Sequence, residues 1–151
     1  GTRVMSLKDG KKKMSKSDPS DYSRINLTDE TDELRKKIQK AKTDSLPFPD
    51  SDKDLENRAE VNNLINIYCA INNSKKESIL KEYSGKDFKK FKEDLYEIIN
   101  QKISKISSEM KKLLGDKVYL DSILNEGTQR ANEIASKNMT EIKKIINFYR
   151  I

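Results

Sequence analysis

From Thr28 onward, apolar residues along this chain recur every three or four positions; before it they are sparse and irregular. Leu34, Ile38 and Ala41 make the first stripe, with Thr28 or Asp29 placed to cap a helix that begins there. Asp29, Glu30, Asp32 and Glu33 lead this helix and Lys36, Lys37, Lys40 and Lys42 close it, the order that complements a helix dipole. A second helix is predicted from about Arg58 to Asn72. A third starts at Ser74, where Ser74-Lys75-Lys76-Glu77 reads as a capping box; it carries Ile79, Leu80 and Tyr83, and Gly85 closes it. The fourth stripe is long: Phe88, Phe91, Leu95, Ile98, Ile99, Ile103, Ile106, Met110 and Leu113 mark one face from about Lys86 to Leu114, ~40 Å of rod at the rise of an α-helix. Gly115-Asp116 stops it and restarts a fifth, with Leu120, Ile123, Leu124, Ala131, Ile134 and Ala135 inward. Asn138-Met139-Thr140-Glu141 then caps a sixth, with Ile142, Ile145, Ile146 and Tyr149 inward. The expected fold class is all-α, a bundle of about six helices.

Two stretches fall outside this period. Residues 1–27 are polar and rich in Gly, Lys and Ser; Val4-Met5-Ser6-Leu7 suits a short strand end, Asp9-Gly10 a turn, and Ile25-Asn26-Leu27 one short extended pairing. Asp18-Pro19 ends any regular structure begun before it, because the residue before proline avoids the α region. In residues 43–57, Leu46-Pro47-Phe48-Pro49 breaks any helix, and the acidic run Asp50 to Asp54 is expected to be mobile. The predicted organisation is a loop segment over 1–27 followed by a helical domain over 28–151.

Composition narrows the function classes. Only 34% of the 151 residues are apolar and 37% are charged, too polar for a β-sandwich core but suited to amphipathic helices. The net charge of +6 favours an anionic partner such as RNA. Roughly half of that excess is assigned to a compositional bias toward Lys, Asn and Ile. There is no histidine and one cysteine, so neither a His-activated nucleophile nor a metal ligand cluster is expected; Cys69, beside the stripe Val61, Leu64, Ile65, Tyr68, reads as a structural thiol. One cysteine also rules out an internal disulfide and suits a reducing compartment. No apolar run is long enough to span a membrane.

The chemistry is concentrated in Lys13-Met14-Ser15-Lys16-Ser17. Two lysines three apart on a flexible loop can close over a triphosphate and follow its charge as pyrophosphate leaves. The pentapeptide resembles the KMSKS loop of class I aminoacyl-tRNA synthetases. Its flanks, Arg3-Val4-Met5-Ser6-Leu7 and Asp18-Pro19-Ser20-Asp21-Tyr22-Ser23-Arg24-Ile25-Asn26-Leu27-Thr28-Asp29, resemble the bacterial-type tryptophanyl-tRNA synthetases, as do Lys40-Ala41-Lys42-Thr43-Asp44 and Asn62-Asn63-Leu64-Ile65-Asn66-Ile67-Tyr68.

The resemblance implies a C-terminal portion of such an enzyme. Its Rossmann domain, with the HIGH-type motif and the tryptophan pocket, is expected outside this chain, which begins Gly1-Thr2-Arg3 and should be inactive alone. By resemblance, Lys13 and Lys16 contact the β and γ phosphates of ATP, which carries Mg2+. Ser15 and Ser17 donate hydroxyl or backbone groups, Met14 turns inward as an anchor, and the backbone of Val4 meets the adenine. Lys12 is assigned only general loop electrostatics, and the loop from Gly10 to Ser20 is expected to be mobile without ATP. The implied partners are tRNA(Trp), whose anticodon arm the helical part receives, L-tryptophan and a second copy in the full enzyme; the implied location is the cytoplasm, or an organelle matrix for an organellar enzyme. The alternatives are a tyrosine-specific relative, which shares fold and loop, and a non-catalytic helical RNA-binding module, which explains the charge and helices but not the loop.

Overall fold

A computed structural model describes residues 3–148. The elements in chain order are α1 (Thr31–Gln39), α2 (Ala59–Asn72), α3 (Lys76–Tyr83), α4 (Phe88–Gly115) and α5 (Lys117–Ile145), with one-turn 3₁₀ helices at Asp21–Ser23 and Lys53–Leu55. The chain is all-α, as the periodicity predicts. Among the described residues the β pairing is one isolated antiparallel bridge, Met5 to Lys13, which joins Val4–Ser6 to the segment Lys12–Met14.

Among the described residues five α-helices replace about six, because the expected fifth and sixth are one. The sequence Asn138-Met139-Thr140-Glu141 does not cap: the Thr140 hydroxyl donates to the Ser136 carbonyl at 2.8 Å, a bond within a continuing helix. Two other starts shift for similar reasons. Helix α1 begins at Thr31, where Glu30 and Glu33 form the capping box, which frees Asp29 for another task. Helix α3 begins at Lys76 without a side-chain cap. Ser74 instead belongs to the end of α2: its amide bonds Cys69 O at 3.1 Å and its hydroxyl accepts from Asn72 at 2.9 Å, across the left-handed Asn73. Gly85, at φ +67°, supplies the left-handed turn after α3 that an L-residue adopts only with strain.

The chain divides into two compact units, residues 1–108 and 109–151. In the first, α1 contributes Leu34 and Ile38, α2 Val61, Leu64, Ile65, Ile67 and Tyr68, α3 Ile79, Leu80 and Tyr83, and α4 Phe91, Leu95, Tyr96 and Ile99 to one core. Its centre is aromatic. Phe48 lies 4.8 Å from Phe91, 5.4 Å from Phe88 and 5.5 Å from Tyr83, in the tilted arrangements that ring quadrupoles favour. The stretch 43–57 is therefore more than a connector. The prolines around Phe48 hold it extended while its amide bonds Lys86 O and its carbonyl accepts from Gly85, and the acidic run forms the one-turn helix that buries Leu55. Lys92 of α4, half-buried, donates to Ala41 O at 2.7 Å and Gln39 O at 3.2 Å, satisfying carbonyls that the end of α1 leaves open. Burial pulls its pKa below the ordinary lysine value.

The second unit contains α5, of which no described residue is buried. Ile123, Leu124, Ile134, Ile142, Ile145 and Ile146, expected to point inward, are exposed, as are Ala131 and Ala135, and Leu120 is only half-covered. The same holds for Ile106 and Leu113 at the far end of α4. Periodicity reports that a helix has an apolar face; it does not report what covers that face. Tyr149 lies outside the described residues.

Candidate functional site

The segment around the pentapeptide is built as a narrow hairpin. Ser6 N–H donates to Lys12 O at 2.8 Å and Met14 N–H to Val4 O at 3.2 Å, on either side of the Met5–Lys13 bridge. The turn is an Asx type: Asp9 accepts the Lys11 amide on its side chain at 3.0 Å and the Lys12 amide on its carbonyl at 3.1 Å.

Helix α2 grips this hairpin. Asn63, 3% exposed, accepts the Met5 amide and donates to the Met5 carbonyl, both at 2.9 Å, with a further bond to Ser6 O at 3.3 Å. One side chain thus supplies both bonds that a neighbouring strand would supply. Gly10 lies against the first turn of α2 so closely that a Cβ there would fall 2.3–2.5 Å from the Ala59 and Glu60 backbone, a separation real side chains do not show. Beside it Lys42 pairs with Glu60 at 2.7 Å; hydrogen bonds from Lys42 and, more weakly, from Gly10 hold the Glu60 carboxyl below its ordinary value. Leu7 is buried, its amide bonded to Ser23 O and its carbonyl to the Lys42 amide.

Above this base the chain is open. Met14 is half-buried against the core, as are Val4 and Ile25. Lys13, Ser15, Lys16 and Ser17 are exposed. With the described residues, the Lys13 and Lys16 ammonium groups make neither a hydrogen bond nor an ion pair, while Lys12 lies 3.7 Å from Asp9. The Ser15 hydroxyl accepts the Ser17 amide at 3.2 Å, a local turn that exposes further donors. The structure therefore brings Val4, Lys13 and Met14 into one paired base and leaves Ser15, Lys16 and Ser17 as its tip.

The far root of the loop is ionic. Lys37 of α1, almost fully buried, donates to both carboxylate oxygens of Asp29 at 2.8 and 2.7 Å and contacts Asp21 at 2.5 Å. Burial alone would pull the Lys37 ammonium down, but its hydrogen bonds to Asp21 and Asp29 outweigh that and raise it; the same bond from Lys37 lowers Asp21. Asp21 also meets Arg24 at 2.8 Å, and Arg24 reaches back to the Asp18 carbonyl at 2.8 Å. Asn26 joins Asp21 and Asp29, at 3.0 Å each. Asp29, expected as a helix cap, is thus an ion-pair partner.

Four of these residues escape a reading by motif: Gly10 in close contact, Asn63 as a strand surrogate, and Arg24 and Lys37 as anchors. A signal existed for one of them, since Lys37 lies on the apolar stripe of α1 between Leu34 and Ile38, where an unpaired lysine is not expected. Cys69 is half-buried and burial raises its thiol, consistent with an inert structural role.

The family model described as tRNA synthetases class I (W and Y) matches residues 2–104, from the hairpin through most of α4. The chain belongs to this family. Within it, the chain is 46% identical over 149 residues to the tryptophan–tRNA ligase of Caulobacter vibrioides, 48% over 148 residues to that of Agrobacterium fabrum, and 47% over 148 residues to that of Rickettsia felis. Those alignments cover 98–99% of this chain but 42–44% of the relatives, so the chain spans about two fifths of the length of the curated relatives it matches. Among solved structures, Campylobacter jejuni tryptophanyl-tRNA synthetase, determined with ADP and tryptophan, superposes with a TM-score of 0.75 at 26% identity, over 97% of this chain and 44% of that one. The Mycoplasma pneumoniae synthetase shares the fold, with a TM-score of 0.65 at 24% identity over 98% of this chain and 46% of that one.

Proposed function

We propose that the whole protein is a tryptophan–tRNA ligase, of which this chain carries the loop that closes on ATP, over residues 1–27, and the helical domain that receives the anticodon arm of tRNA(Trp), over 28–151. The tryptophan pocket and the remaining ATP contacts lie outside it, so this chain alone has no aminoacylation activity. The whole enzyme works as a homodimer in the cytoplasm. Family membership and relatives at 46–48% identity that carry the tryptophan name support this reading over the tyrosine-specific one.

The reaction needs little covalent help from the protein. A carboxylate oxygen of tryptophan attacks the α-phosphorus of ATP, the new P–O bond forms as the bond to pyrophosphate breaks, and the bonding pair leaves with pyrophosphate; the adenylate is then passed to tRNA. Charge grows on the departing phosphates, and fixed cations placed for that charge lower the barrier. Lys13 and Lys16 fit this role because their ammonium groups make no pair with the described residues and are free to follow the phosphates. Ser15 and Ser17 add hydroxyl and amide donors, Met14 fixes the height of the loop by its burial, and the Val4 backbone, held in the hairpin beside Met5, faces the adenine. Mg2+, entering with the nucleotide, would supply further charge neutralisation on the phosphates.

The observation that carries the proposal is the pair of unpartnered lysines on a base that is itself tightly paired. It is tested by ATP–pyrophosphate exchange on the intact protein with tryptophan and tyrosine side by side. Exchange with tryptophan, abolished by Lys16→Ala, is the expected result; exchange with tyrosine alone, or none with either, overturns it.

A further inference from the structure

We infer that Lys37, a buried lysine on α1 remote in sequence from the pentapeptide, is a positioning residue for it: through Asp21, Arg24 and the Asp18 carbonyl it sets where the tip bearing Lys16 stands. This rests on the reading of the loop as the ATP-closing element. A nearly buried ammonium is costly unless its protons are all satisfied, and here three carboxylate oxygens at 2.5–2.8 Å satisfy them. Two of those oxygens, on the equally buried Asp29, neutralise its charge. The third belongs to Asp21, whose side chain is 54% exposed, and takes the remaining proton. That contact also does a second job. It ties the 3₁₀ turn Asp21–Ser23 to α1, and Asp21 in turn holds Arg24 at 2.8 Å, which grips the carbonyl of Asp18, the residue after Ser17. Each member of this relay is a charged group bonded to the next, and the last bond is to the backbone at the point where the tip begins. The opposite end of the tip is held by the Met14–Val4 bond and the half-buried Met14 side chain. The tip is thus suspended between two fixed points, and the ionic one can be cut without opening the core.

The test is single-turnover adenylate formation by the intact protein. Asp21→Ala removes an exposed carboxylate and leaves the Lys37–Asp29 pair intact. It is expected to slow the chemical step by roughly ten- to a hundredfold, the scale of a small misplacement of a catalytic group, with KM for tryptophan unchanged. Combined with Lys16→Ala it is expected to add nothing, because its effect passes through that lysine. Lys37→Met is expected to act in the same direction, with Lys37→Arg recovering part of the rate. Asp21→Ala at the parental rate, or a loss that multiplies with that of Lys16→Ala, overturns the inference while leaving the proposed function standing. A Lys16→Ala variant with undiminished rate overturns both.

Discussion

Between Val4 and Asp29 the chain treats its polar groups in two opposite ways. In the hairpin base and the ionic root, amides, carbonyls and charges are paired: Met5 with Asn63, Leu7 with Ser23 and Lys42, Asp29 and Asp21 with Lys37. At the tip the Lys16 ammonium group and the Ser15 and Lys16 amides, and at its edge the Lys13 ammonium group, have no partner among the described residues. A loop that needed only to connect would show neither extreme. The contrast teaches that rigidity is placed where the loop attaches and withheld where its charges must reach another molecule.

The largest expected effect breaks the tip. Lys16→Ala in the intact protein should slow adenylate formation by ~10²–10³-fold, the usual cost of removing one preorganised charge or donor aimed at a transition state. Tryptophan KM and thermal stability should be little changed, because the side chain is exposed and unpaired. Lys13→Ala should act in the same direction, and the double variant should be less than additive if both lysines serve one closed state.

The next breaks the base. Asn63→Ala leaves the Met5 amide and carbonyl, and a Ser6 carbonyl, without their buried partner, and should destabilise this chain by about 1–3 kcal/mol in urea unfolding. The two variants therefore have opposite signatures, one in rate without stability and the other in stability. A Lys16→Ala protein that melts as early as Asn63→Ala would erase the distinction.

The distribution of what was legible follows the same division. The stripe on α4 predicts a helix that the structure places within two residues, because long amphipathic helices announce their apolar face by period alone. The pentapeptide also announces itself, because phosphate chemistry needs those residue types at that spacing. What holds the loop does not. Asn63 makes its bonds to residues 57 and 58 positions away, and Lys37 to one 8 positions and another much further back, so no local pattern records them. Phe48 was hidden by its prolines, which signal a break in the helix but not that the side chain between them fills the core. In α5 the opposite failure occurs, with a clear stripe and no buried residue.

Acid should act on the base before it acts on the tip. Hydrogen bonds from Lys37 and Lys42 depress Asp21 and Glu60 below their ordinary values of 3.8 and 4.5. A depressed carboxylate contributes stability that is fully present above its ordinary value and is lost as the pH falls through the depressed one. Their partners Lys37 and Lys42 are raised above the ordinary 10.5, so that contribution is complete below this value and declines as the pH rises through the shifted ones. Urea unfolding should accordingly be flat in these contributions from neutral pH to about pH 10 and weaken below about pH 4. Asp21→Ala should flatten part of the acid slope. The smallest effect is expected for Lys12→Ala, under about tenfold in rate, since an exposed charge 3.7 Å from Asp9 is screened and already paired.

Residue-resolved amide hydrogen exchange on the intact protein tests the division of base from tip most directly. Without nucleotide, the Ser6, Leu7 and Met14 amides, each bonded to a backbone carbonyl, should exchange slowly, while Ser15 and Lys16 should exchange near the rate of an open chain. With ATP and an unreactive tryptophan analogue, protection should appear at Ser15 and Lys16 and change little in the base. Tip amides as protected as the base before nucleotide is added, or still unprotected once it is bound, would contradict the account.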